Sequence, residues 1–243
     1  MVSAYALIFP YFYTNADALY TFSILLLLVG FAIATVAQIR VKSTFSRYSR
    51  VTSGLTGEQA ARLLLQQNGI SGVAIVPCSG RLTDHFDPRN NTIYLSEGVF
   101  AANTVAAVGV ACHEAGHAVQ YAHGYFPLRL RNAIIPATNL GSSLAMPLVL
   151  IGLIFSFYPL AMLGVLLFGL AVLFQLITLP VEFNASARAV QTIAAGNLLE
   201  RENRAGVKAV LGAAAMTYVG ALVVSLAQFL RLLAIVGGRS NRR

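Results

Sequence analysis

A chain of 243 residues that is 57% hydrophobic and only 11% charged, where soluble domains carry about 25% charged residues, is not an ordinary soluble globular protein. Each helical crossing takes about 20 apolar residues, so a mean hydropathy of +0.69 calls for several spans and leaves room for one small polar region. The net charge of +8 does not indicate nucleic acid, because Lys and Arg stand beside apolar segments rather than in one long basic patch.

In chain order, the aromatic stretch Tyr5 to Tyr13, with Pro10 inside it, is too short to cross a bilayer and reads as an outer-interface segment or a loose terminus. The first apolar run, Ala18 to Ile39, has no Lys or Arg before it and Arg40, Lys42, Arg47 and Arg50 after it. That order gives a retained span whose following residues face the cytoplasm, not a cleaved signal. From Val41 to Arg131 charges, Gly, Asn and Pro return. There Thr56 and Gln59 form a capping box for a short helix over Gly57 to Gln67, ended by Asn68-Gly69. Val73 to Val76 and Thr92 to Leu95 read as two strands joined through the turn-rich Asp87 to Asn91, as a small hairpin or edge strand. A helix then runs from an Asn103 cap through Tyr121, with Gly124 placed to end it. The cysteines, Cys78 and Cys112, form no paired framework and read as free thiols in a reducing compartment.

Two further apolar runs, Ile134 to Phe157 and Leu160 to Leu179, are separated by Tyr158-Pro159 and form a membrane hairpin with both ends on the cytoplasmic side. Arg129, Arg131 and Arg188 flank it accordingly. Pro136 and Pro147 bend the outgoing helix. A cytoplasmic helix follows Pro180, and Ala209 to Leu230 is long enough for a fourth span. Arg239, Arg242 and Arg243 then fall outside, against the positive-inside tendency, so three spans with a membrane-associated last helix is the alternative.

The helix of the polar region carries A-C-H-E-A-G-H-A-V-Q-Y-A-H, Ala111 to His123, with three of the chain's four histidines. His113, Glu114 and His117 fit H-E-x-x-H. Residues four apart on a helix lie about 40° apart around the axis and one turn apart along it, so both imidazoles reach one metal ion. Glu114 reaches a water on that ion and takes its proton as the water attacks a carbonyl. Two histidines, an oxygen ligand and an open position suit catalytic Zn2+. Otherwise Glu114 is an ionisable group on a helix that is apolar nearly all round.

A third ligand has two candidates. His123 stands at the spacing of H-E-x-x-H-x-x-G-x-x-H, but Gln120 occupies the glycine position. On a continuous helix His123 lies about 280° round and roughly 15 Å along from His113, and misses the metal. Glu182 emerges where the hairpin returns to the cytoplasmic side, and is otherwise a helix-starting carboxylate. Asn184 and Ser186 are candidate acceptors for the far nitrogens of the histidines. His85 is a candidate oxyanion donor or a structural loop histidine, and Thr92 to Leu95 is a candidate edge for strand addition by a substrate.

L-T-D-H-F-D-P (Leu82 to Pro88), H-E-A-G-H-A-V-Q (His113 to Gln120) and L-P-V-E-F-N-A-S (Leu179 to Ser186), with an apolar hairpin between the last two, resemble the YugP-like family of bacterial neutral zinc metallopeptidases over most of the chain. That family is itself similar to the HtpX-type and CAAX-prenyl membrane proteases. The resemblance implies a gluzincin-type arrangement, with His113, His117 and Glu182 as zinc ligands and Glu114 as base. The chain departs from the E-x-x-x-D pattern of the HtpX type, carrying Ser186 where the aspartate falls.

The expectation is a mainly α integral membrane protein of about four transmembrane helices, with a small α+β zincin-like catalytic region bearing the H-E-x-x-H helix. Its divisions are an N-terminal span at 1–40, a cytoplasmic catalytic region at 41–132, a hairpin at 133–180, a cytoplasmic helix with the third ligand at 181–208, and a last membrane helix with a basic tail at 209–243. The function expected is hydrolysis of membrane-associated or unfolded polypeptides at the cytoplasmic face of a bacterial inner membrane, with the lipid bilayer and a polypeptide substrate as partners and no nucleic acid. The alternatives are an inactive zinc-binding scaffold or chaperone, supported by the missing aspartate, and a zinc carrier. Carriers place ionisable ligands at mid-membrane depth, whereas all four histidines lie between His85 and His123, outside every predicted span.

Overall fold

The structure, a computed structural model, describes residues 16–240; the aromatic stretch Tyr5 to Tyr13 and the side chains from Arg239 onward lie outside what it describes. The elements in order are α1 (Ala16–Tyr48), α2 (Gly57–Gln67), β1 (Ala74–Cys78), β2 (His85–Asp87), β3 (Thr92–Ser96), α3 (Glu97–Phe100), α4 (Val105–Ala122), α5 (Phe126–Ile154), α6 (Tyr158–Ala195) and α7 (Arg201–Ser240). By length and composition α1, α5, α6 and α7 can each cross a membrane, four candidate spans among the described residues.

These helices outrun the apolar segments that announce them. α5 begins at Phe126 and α7 at Arg201, because charged residues with good helix propensity do not end a helix. Pro180, expected to separate the hairpin from a cytoplasmic helix, lies inside one continuous α6. A proline removes only its own N–H from the ladder, a local loss that packed neighbours tolerate. Glu182 therefore rides on the same rod as the apolar run before it.

The chain forms two compact units. The first comprises the described residues through Thr35, Arg131–Ile177, and the described residues from Tyr218. Its core includes Val149, Ala161, Val165, Leu233 and Val236. The turn between α5 and α6 is Phe155 to Phe157, with Ser156 in the left-handed region at φ 54°. Tyr158 and Pro159, expected as the turn, are instead the opening residues of α6, where proline costs no hydrogen bond. At Gly164 a Cβ would sit 2.6 Å from the Ala145 carbonyl oxygen, so only glycine lets the two arms of the hairpin approach this closely. Phe22, Leu25, Leu28 and Phe31 on α1, Leu150 and Ile154 on α5, and Leu163 and Leu173 on α6 are exposed. An apolar surface of that extent is what lipid covers.

The second unit comprises Val36–Leu130 and Thr178–Thr217. The capping box forms in both directions: Thr56 Oγ1 accepts from Gln59 N at 3.2 Å, and Thr56 N donates to Gln59 Oε1 at 3.0 Å. α2 packs along α4. The sheet order is β1-β3-β2. β1 runs parallel to β3, pairing Ala74 with Thr92, so these two strands are not a hairpin, while β1 does lie at an edge of the sheet, the other expectation. The hairpin partner of β3 is β2, antiparallel, with His85 opposite Tyr94. Three residues, H-F-D, give no alternating pattern to read.

α4 is capped by Thr104, whose hydroxyl accepts from Ala107 N at 3.3 Å. Asn103, the expected cap, instead accepts from the Ser53 hydroxyl at 2.9 Å. Gly124, at φ 62°, follows the end of α4 as expected. Leu64, Ile93, Leu95, Val108, Val119 and Ile193 fill the core around α4, and with cover on several sides the helix is buried almost all round. Leu64→Ala should cost about 2–5 kcal/mol in denaturant unfolding of the detergent-solubilised protein. Leu82→Ala, at a side chain 79% exposed, should stay within about 0.5 kcal/mol.

Candidate metal centre

α4 meets α6 at a glycine. At Gly116 a Cβ would lie 2.6 Å from the Ala185 carbonyl oxygen, so the absence of a side chain between Glu114 and His117 lets α6 lie against this face. His113 and His117 then face Glu182. Glu182 Oε2 is 3.2 Å from His113 Nε2 and 3.6 Å from His117 Nε2. The two rings stand edge to face, centroids 4.7 Å apart. One ligand atom from each of the three residues lies within 4.8 Å of the others, the arrangement of a three-donor metal site.

The donor set and its spacing fit zinc. Nitrogen and oxygen ligands about 2.0–2.2 Å from a tetrahedral ion are separated from one another by roughly 3.4 Å, and the two imidazole-to-carboxylate separations fall on either side of that value. The far nitrogens are occupied by protein. His113 Nδ1 is 3.1 Å from Ser186 Oγ and His117 Nδ1 is 3.0 Å from Gln120 Oε1. Both Nε2 atoms are thereby left to face Glu182.

Glu114 does not belong to this trio. Its carboxyl is buried, and burial pushes its pKa up to about 7; His113 and His85 pull it down, while Glu182 and Asp84 push it up. His85 is exposed on β2 and stacked on Tyr94, ring centroids 4.8 Å apart. Its Nδ1 is 2.7 Å from the Thr83 carbonyl oxygen, an atom that only accepts, so Nδ1 carries the proton. β2 packs against α4 through Phe86 and Tyr121, centroids 5.8 Å apart. His123 is the C-cap residue of α4, its Nδ1 3.5 Å from Arg188 Nη1, and it is not one of the three clustered donors. Burial pushes the Cys112 thiol up to about 12, which leaves it unreactive.

Two residues of this neighbourhood carry no recognisable signal of their own in the sequence. Gly116 reads as one of the unspecified positions of H-E-x-x-H. Gln120 reads only as the place where a helix-breaking glycine is missing. Its signal is position: three residues after His117, it shares that histidine's helix face, and its side chain is fully buried.

Two helix-borne imidazoles and a carboxylate from a second helix could hold one metal ion, and the described residues include four helices long and apolar enough to cross a bilayer. The profile of the family described as "Putative neutral zinc metallopeptidase" matches residues 23–237, and the chain belongs to that family, whose cofactor is zinc. It is also similar to "Putative membrane protease YugP" of Bacillus subtilis (strain 168), 46% identical over 208 residues, covering 84% of this chain and 92% of that protein. No solved structure matches it.

The buried carboxyl gives the metal-free protein a distinctive pH dependence. A glutamate raised from 4.5 to about 7 on folding contributes its stability fully below pH 4.5 and loses it as the pH rises through 7. Metal-free Glu114→Gln should therefore match wild type near pH 4 and exceed it above pH 7, by about 3 kcal/mol at most. Denaturant unfolding in chelator at both pH values reads the difference.

Proposed function

We propose that this protein is a membrane-embedded zinc endopeptidase that hydrolyses membrane-associated or unfolded polypeptides at a site facing the cytoplasm, with Glu114 as general base. The observation that carries the reading is the convergence of His113, His117 and Glu182 beside a buried Glu114. His113, His117 and Glu182 would hold the ion. Zinc bound there supplies a Lewis acid that acidifies water and polarises a peptide carbonyl.

The remaining chemistry belongs to the chain. Glu114 takes the proton of the attacking water and passes it to the departing amine nitrogen. A carboxyl raised toward 7 by burial holds that proton more readily than an exposed glutamate does. His85 is the proposed donor to the developing oxyanion. Nδ1 is already bound to Thr83, so Nε2 is the nitrogen left to face the substrate.

Strand addition along Thr92 to Leu95 is excluded, since β3 is the central strand and both of its edges are paired. The open edge beside α4 is β2, and an extended substrate paired there would pass along the helix that carries His113 and Glu114. Arg40, Lys42, Arg47, Arg50, Arg129, Arg131 and Arg188 flank the apolar runs on one side, which supports the cytoplasmic assignment. Ser186 lies within hydrogen-bonding distance of His113 at the position of the missing aspartate, which favours the active enzyme over an inactive scaffold.

Detergent-purified Glu114→Gln should lose about 10²–10⁴-fold in hydrolysis of a fluorogenic peptide while keeping its zinc. Glu182→Ala should lose the metal together with activity, and His123→Ala should keep both. Wild-type cleavage that persists in Glu114→Gln would refute the role of the base.

A further inference from the structure

Gln120 is a buried polar residue of the second unit. It is 0% exposed, and its amide makes three contacts. Nε2 lies 2.8 Å from the Val181 carbonyl oxygen and 3.0 Å from Asn184 Oδ1, and Oε1 lies 3.0 Å from His117 Nδ1. The first two are on α6 and bracket Glu182 in sequence; the third is on α4.

The direction of every bond in this chain is determined by chemistry at its ends. Arg188 Nε, a group that only donates, lies 2.8 Å from Asn184 Oδ1. The Asn184 atom facing it is therefore the acceptor oxygen. Gln120 must present a donor to that same oxygen, and the Val181 carbonyl makes the same demand independently. With the amide nitrogen so committed, the oxygen is the atom left for His117. It can only accept, so His117 Nδ1 must carry the proton. The lone pair of the neutral ring is then on Nε2, the nitrogen beside Glu182.

We propose that Gln120 is a positioning residue for the metal centre. One buried amide both selects the His117 tautomer that offers Nε2 to the ion and fastens α4 to the turn of α6 that presents Glu182. The inference rests on His117 and Glu182 being zinc ligands, and adds a residue that touches neither the ion nor the substrate. Acceptors behind metal-bound histidines typically change metal affinity 10–100-fold when removed. Here the same group also registers the partner helix.

The test compares two substitutions of similar size in the full-length, detergent-purified protein. Gln120→Met fills the volume but has neither donor nor acceptor. Gln120→Glu keeps an acceptor for His117 Nδ1–H and loses the donors to α6. Zinc affinity is read by chelator competition, and the His117 tautomer by selective nitrogen-15 labelling of the four histidines. Expected are a 10–100-fold loss of affinity and a mixed tautomer in Gln120→Met, with the Nδ1–H tautomer kept and a clearly smaller loss in Gln120→Glu. Equal losses in both variants would reduce Gln120 to a packing residue and overturn the proposal, as would affinity in Gln120→Met within twofold of wild type. If neither variant folds, the metal-free wild type still decides: a His117 with no proton on Nδ1 contradicts the chain of donors, and Nδ1–H supports it whether or not Nε2 also carries a proton beside Glu182. Wild type that binds no zinc at all would instead defeat the assignment of the ligands.

Discussion

The approach of α4 to α6 is the constraint from which the candidate site follows. Neither helix carries a complete donor set: α4 supplies two imidazoles one turn apart, and α6 supplies the carboxylate. They can share an ion only if the backbones come close enough for short side chains to meet, and Gly116 removes the side chain that would keep them apart. Gln120 and Ser186 then tie the same two rods together from either side of the candidate ligands. A glycine that permits contact and polar groups that fix its register are complementary devices. Apolar packing alone would leave α4 free to slide by fractions of a turn, and donor spacing tolerates little of that.

The helix bearing the histidines is buried by apolar neighbours nearly all round, and this gives the polar groups their properties. Glu114 is raised because water is removed from it, and its neighbours pull in both directions. The histidines do not stand alone in that interior, since the nitrogens turned away from Glu182 each meet a protein partner. Leaving buried polar groups unpaired is costly, so the hydrogen-bonded line from His117 through Gln120 and Asn184 to Arg188 keeps the polar cluster compatible with its surroundings. The same line runs from the interior to a partly exposed guanidinium.

What could be read from the sequence was what is local. The spacing of His113 and His117 is set by helix geometry, and the capping box at Thr56 and the stop at Gly124 are signals within a few residues. Glu182 could be reached because a hairpin of two apolar runs returns the chain to the side it left. What could not be read depends on partners distant in sequence. The parallel pairing of β1 with β3 is set by packing rather than by the short connection that suggested a hairpin, and β2 is too short to show a period. Pro180 looked like a boundary because its local effect is a break, yet α6 continues through it. Gln120 is an unremarkable glutamine until the α6 atoms it meets are known. Ser186, noted as a departure from an aspartate, turns out to lie within hydrogen-bonding distance of His113.

The claim beneath all of this is that one zinc ion is held jointly by α4 and α6. Anomalous diffraction at the zinc edge from crystals of the purified protein tests it most directly. The account predicts a single strong peak about 2.0–2.2 Å from His113 Nε2, His117 Nε2 and a carboxylate oxygen of Glu182. A peak ligated by other residues, or no peak with Glu182 turned away from the histidines in zinc-supplemented crystals, would contradict it.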